Sequence, residues 1–180
     1  MVACVPTDVV WEGDGSGEWA SGSGGSGPAR VTSSWSWEGR PLPYVPVIAY
    51  REDAGYRTNT DRYDRSRAEH PRDAAAAVIP LETAEARVLL IAGGRDEVWA
   101  SGRMTEALLA RYLAAGRADR AEVRIYPTAG HMICGDGSFP GRLYNTQRSE
   151  PWAKDVTAEG EASRDAWRAQ IAFLRRVLGR

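Results

Sequence analysis

The sharpest alternation between apolar and polar positions in this chain lies between Arg87 and His131. Arg87-Val88-Leu89-Leu90-Ile91-Ala92 is a short apolar run, which predicts a strand buried on both faces. It leads into Gly93-Gly94-Arg95-Asp96, a turn whose glycines free the backbone just before a carboxylate. Met104, Leu108 and Tyr112 then recur at helical spacing, with Ser101 as the N-cap and Ala115-Gly116 as the end. A second strand from Ala121 to Tyr126 stops at Pro127 and opens on Thr128-Ala129-Gly130-His131. The same reasoning places a strand within residues 1–6, a short Ala-rich helix at residues 73–78, and a last helix over 163–178. That last helix is expected to be capped by Ser163 and to bury the face of Trp167, Ile171, Leu174 and Leu178.

The remaining stretches lack periodicity. Residues 14–29 are Gly- and Ser-rich and predict a flexible surface insert. Residues 33–80 form a long excursion with three prolines between Pro41 and Pro46, expected to cover a surface in extended form without entering a ladder. Its charged part, from Arg51 to Pro71, is expected to be helical in places. Glycines and prolines from Met132 to Pro151 are expected to break any regular element there. No internal repeat is present. The expectation is a single partial domain over residues 1–180, organised on the β-α-β unit of residues 87–131.

An Asp after the first strand of a β-α-β unit and a His after its second have a mechanical meaning. Parallel strands put both loops on one edge of the sheet, where Asp96 and His131 can converge. A carboxylate accepting from one imidazole nitrogen fixes the tautomer and leaves the other nitrogen as a base. The nucleophile served by such a pair precedes both in the order Ser, Asp, His of the α/β-hydrolases. Each residue also has a plainer reading: Asp96 as a turn former after two glycines, His131 as a loop histidine. Their shared register favours the catalytic origin.

Composition narrows the picture. At 180 residues with 43% apolar content and a net charge of −1, nothing points to nucleic acid or an anionic membrane surface as partner. No segment approaches the ~20 apolar residues of a membrane span. Two cysteines, Cys4 and Cys134, make no disulfide framework in a chain of this size and suit a reducing, cytoplasmic setting, with Cys134 as a buried thiol. The two histidines and two cysteines show no ligand spacing, so no metal and no cofactor are expected. His70, before Pro71, is expected to be exposed. Asp136 is better explained by its Gly-Asp-Gly turn than as a rival orienting acid. Trp35, Trp37 and Trp99 either line an acyl pocket or pack under irregular loops.

Several stretches together resemble the C-terminal hydrolase domain shared by acyl-CoA thioesterases and bile acid acyl-CoA:amino acid N-acyltransferases. They are Val5-Pro6 with Val9-Val10-Trp11, Ser33-Ser34-Trp35 through Gly39, Pro41-Leu42-Pro43-Tyr44, and Ile79-Pro80-Leu81-Glu82. Leu89 to Gly93, Asp96 through Trp99 with Ser101, Tyr126-Pro127 through His131, and Asp165-Ala166-Trp167 complete the set. Order and spacing hold over nearly the whole chain outside the insert. The resemblance implies an α/β fold, the C-terminal portion of an α/β-hydrolase sheet with three parallel strands, flanking helices and a long irregular excursion. It also implies an acyl-CoA thioester substrate, Asp96 as the triad acid and His131 as the triad base. Arg95 stands where relatives often carry another acidic residue.

The family's nucleophile lies on a G-x-S-x-G-like elbow upstream of the first strand, which would put it before Met1. No substitute is visible, because Ser16, Ser23 and Ser26 lack the glycine pattern and Cys4 lies within a strand. Three functional expectations follow. The first is part of an acyl-CoA thioester hydrolase or N-acyltransferase, carrying the acid and base without the nucleophile and inactive by itself. The second is a non-catalytic remnant or partner subunit that pairs with an N-terminal complement, or with itself, through an open sheet edge. The third is another α/β-hydrolase, such as a dienelactone hydrolase-like or peptidase-like esterase.

Overall fold

A computed structural model describes residues 1–13, 32–48, 55, 58–135, 144–145, 150–151 and 156–179. The Gly/Ser-rich stretch and Asp136 lie outside the described residues. The chain divides into two compact units, one of Met1–Asp8, Arg57–Thr60 and Pro80–Arg180, the other of Val9–Tyr56 and Asp61–Ile79.

The first unit is built on a parallel sheet of three strands, β1 (Val2–Cys4), β6 (Val88–Gly93) and β7 (Ala121–Tyr126), in the order β1-β6-β7. All six residues of β6 are buried. Their side chains alternate between two cores, as strand geometry requires. Leu89 and Ile91 pack with Ala129, Ile133, Ala162, Ala166 and Phe173 on one face, while Val88 and Leu90 pack with Leu108 and Tyr112 on the other. Helix α3 (Ser101–Ala114) covers the second face through the expected Leu108 and Tyr112, and the expected Met104 is buried as well. The Tyr112 hydroxyl donates to the Leu81 carbonyl at 2.9 Å, and burial, with the Glu82 charge in support and Arg117 opposing, raises its pKa.

Helix α4 (Val156–Leu178) covers the first face, and here three expectations are corrected. It starts before Ser163, which lies inside it and is buried, so Ser163 is not its cap. Its buried face runs through Ala162, Ala166 and Phe173, with Ala169, Leu174 and Val177 packed beside them, so Leu174 of the expected stripe does meet the core while the line itself runs one position off. Trp167 and Leu178 are exposed. Close approach of a helix to a flat sheet selects small residues at the contact line, a signal that counting large apolar residues overlooks.

Cys4 and Cys134 form a disulfide, with Cα atoms 6.1 Å apart, and so are not free thiols. Their 130-residue separation hides a pairing that the fold makes adjacent, at the end of β1 and in the loop after β7.

In the second unit, β2 (Glu12–Gly13) pairs with β3 (Thr32–Ser33), and β4 (Ser36–Trp37) pairs with β5 (Arg40–Pro41), both antiparallel. The excursion does enter ladders, contrary to expectation. Glu38 and Gly39 both take positive φ, 49° and 75°, the two-residue reversal that suits the twist of a tight hairpin. Pro41 is tolerated because the ladder is short and at an edge. Helices α1 (Asn59–Glu69) and α2 (Pro71–Ala76) follow, α2 with proline at its start where no amide is needed. Trp11 packs edge-on against Tyr63 at 4.7 Å. His70 is half-buried, not exposed, with Nδ1 3.5 Å from Asp73. Between residues 132 and 151, Tyr144–Asn145 pairs with Glu150–Pro151, so that stretch is not wholly irregular.

Candidate active site

The site lies at the carboxyl ends of β6 and β7, within the first unit. Gly94 N–H donates to the Tyr126 carbonyl at 2.8 Å, and Arg95 N–H to the Ala129 carbonyl at 2.9 Å, which lays the acid loop along the histidine loop. Gly93 and Gly94 make this possible by lacking a side chain, not by unusual torsions. A Cβ on Gly93 would stand 1.9 Å from the Gly130 carbonyl oxygen, and one on Gly94 2.7 Å from that of Pro127.

Asp96 is buried and its carboxylate accepts four hydrogen bonds. Oδ1 takes the amides of Val98 and Trp99 at 2.9 and 3.2 Å, and Oδ2 takes the Ser101 hydroxyl at 2.6 Å. The fourth is from His131, whose Nδ1 lies 2.9 Å from Oδ2. Ser101 is thus the first residue of α3 and a donor to the acid, where an N-cap was expected; the helix has no side-chain cap. Thr60 holds the same loop, donating its amide to the Glu97 carbonyl at 3.0 Å and its hydroxyl to that of Asp96 at 2.8 Å.

A carboxylate at Nδ1 makes that nitrogen the donor and puts the basic lone pair on Nε2. The imidazole side chain is 14% exposed, against 0% for Asp96. Trp99 meets the imidazole in a T-shaped contact, centroids 4.4 Å apart, and its indole N–H donates to the Val5 carbonyl at 3.0 Å. Val5 takes φ 42°, a costly conformation for a β-branched residue, and its amide donates to the Ile91 carbonyl at 2.7 Å. Trp35 and Trp37 lie in the other unit and are exposed. Among the described residues no group of three His, Cys, Asp or Glu side chains could hold a metal ion.

Besides Thr60, a second residue of the site escapes the sequence reading. Glu159, in the first turn of α4 and 2% exposed, accepts the Gly130 amide at 2.6 Å and the Met132 amide. It grips the backbone on both sides of His131. Nothing in the sequence distinguishes it, because the apolar stripe starts the helix at Ser163 and leaves Glu159 before it, where it reads as a surface charge.

A parallel sheet with helices on both faces, bearing a buried carboxylate and an imidazole in contact on the loops after adjacent strands, defines an α/β protein. More specifically, residues 38–180 match the family described as BAAT / Acyl-CoA thioester hydrolase C terminal, and the chain belongs to that family. A peroxisomal succinyl-coenzyme A thioesterase of Mus musculus is 31% identical over 111 residues, 57% of this chain and 25% of the relative. The aligned stretch therefore spans a quarter of that relative's length.

Proposed function

We propose that this chain supplies the acid and base of an acyl-CoA thioester hydrolase or acyl transferase, with the nucleophile not among its own residues. The observation that carries the reading is the 2.9 Å contact of His131 Nδ1 with Asp96 Oδ2 inside a family of acyl-CoA thioester hydrolases. In the reaction, a Ser or Cys nucleophile attacks the thioester carbonyl, His131 Nε2 takes its proton and later returns one to the leaving thiolate, and Asp96 holds the imidazole. Ser101 is excluded as that nucleophile, because its buried hydroxyl is committed to Asp96.

The test has two arms. The chain alone, given succinyl-CoA and longer acyl-CoA esters, is expected to release no CoA above background and to resist a fluorophosphonate probe; stoichiometric labelling would overturn the missing nucleophile. Joined behind the upstream region of a full-length family member, it is expected to release CoA, and Asp96→Asn or His131→Ala should abolish that. A folded chimera that cleaves simple esters but spares acyl-CoA would favour the esterase alternative.

A second reading, as a partner subunit, is favoured by one feature. β1 lies at the sheet edge and, among the described residues, pairs only with β6, so its other edge offers a template to a further strand. Sedimentation at increasing concentration separates the two cases: self-association through this edge gives a concentration-dependent mass, a heterologous complement leaves a monomer.

A further inference from the structure

We infer that Glu159 is a positioning residue for His131: its buried carboxylate, reaching from α4, fixes the histidine loop so that Nδ1 meets Asp96. This rests on the reading of Asp96 and His131 as acid and base. Gly130 N–H donates to Oε2 at 2.6 Å and Met132 N–H donates to Oε1, so the two oxygens bracket His131 symmetrically in sequence. A carboxylate this buried loses its hydration, and bonds to backbone amides in the positive field of a helix's first turn offset that loss. The carboxylate lies directly against this loop, since a Cβ on Gly130 would meet Oε2 at 3.4 Å, an ordinary van der Waals contact. Asp96 fixes the ring from one side through a side chain; Glu159 fixes the backbone that carries the ring. An imidazole has two free torsions, so without the backbone clamp the Asp96 contact alone selects among loop conformations it does not determine.

The Glu159→Gln variant keeps the length but can accept only one amide, and turns its own NH2 donor toward the other. The readout is the tautomer of neutral His131, from nitrogen chemical shifts of the histidine-labelled protein. Only two histidines occur, and His70→Gln assigns them. The intact protein is expected to hold His131 almost wholly as the Nδ1–H form, and Glu159→Gln to lower that share to roughly half or less, toward the Nε2–H preference of a free ring. Mere loss of helix stability would lower the melting temperature and leave the tautomer untouched, and that result overturns the inference. A starting protein without the Nδ1–H form would instead overturn the acid–base reading. If Glu159→Gln does not fold, hydrogen exchange on the unaltered protein decides. The Gly130 and Met132 amides are expected to exchange at least about 100-fold slower than an open loop, and exchange at open-loop rates refutes the clamp.

Discussion

The acid loop after β6 and the histidine loop after β7 are held in opposite ways. Asp96 is fixed largely by its own neighbourhood: the amides of Val98 and Trp99 and the hydroxyl of Ser101, all within five residues. The loop carrying His131 is fixed from far along the chain, by Glu159 and by the disulfide from Cys4 to Cys134. The Asp96 carboxylate is therefore set mainly by its own turn, although Thr60 also ties that loop from 36 residues away, whereas the histidine loop takes more of its shape from the assembled fold. A local turn survives partial unfolding better than a loop whose ties reach across the fold.

The largest break in this comparison is expected at the seam where the two loops touch. Gly93→Ala puts a Cβ 1.9 Å from the Gly130 carbonyl oxygen and 2.7 Å from that of Ala129, both backbone atoms that no rotamer change can move. A loss of about 3 kcal/mol or more is expected from urea unfolding. Gly116→Ala is the control. Gly116 sits at φ 67° with nothing near its missing Cβ, so the substitution costs torsional strain alone, about 1 kcal/mol. Equal losses in the two variants would mean that the loops give way at the seam.

Removing the long-range covalent tie comes next. Cys4→Ser with Cys134→Ser opens a link between residues 130 apart, and a loss of about 2–4 kcal/mol is expected. The location of the effect sharpens the contrast more than its size. Amides from Ala129 to Ile133 should gain exchange rate well before those of Val98 and Trp99, since the acid turn keeps its own hydrogen bonds. Uniform acceleration of both loops would show that they behave as one unit.

The same division between local and distant ties governs what the sequence discloses. β6, α3 and β7 are legible because each is specified by its own run of side chains, and Asp96 and His131 because their places follow from strand ends. Ser101 was visible as a residue at a helix start, but its partner depends on how the chain returns to Asp96. Glu159 and the Cys4–Cys134 bond are invisible without the fold, since their partners lie 29 and 130 residues away. The buried stripe of α4 misled for a related reason: the sheet, not the helix, decides that Ala166 is inside and Trp167 outside. In the second unit, Glu38-Gly39 is the local hairpin signal, masked by the prolines that follow it.

The smallest expected effect concerns another tie between α4 and the root of the histidine loop. Tyr126 ends β7; its carbonyl accepts Gly94 N–H at 2.8 Å, and its hydroxyl donates to Asp165 of α4 at 2.7 Å. Burial, the hydrogen bond to Asp165 and that carboxylate's charge hold the Tyr126 hydroxyl well above its ordinary pKa of 10.0, with Arg124 opposing. A hydroxyl whose folded-state pKa is raised keeps its proton while the unfolded chain loses one. Its contribution is thus fully present below pH 10 and falls as pH rises beyond that. Tyr126→Phe should cost about 1 kcal/mol at pH 7, less than loss of the disulfide. It should also make stability fall less steeply between about pH 10 and pH 11 than in the unaltered protein. If the variant keeps the full alkaline slope, some other group sets it, and Glu159 is left as the principal polar link from α4 to the loop of His131.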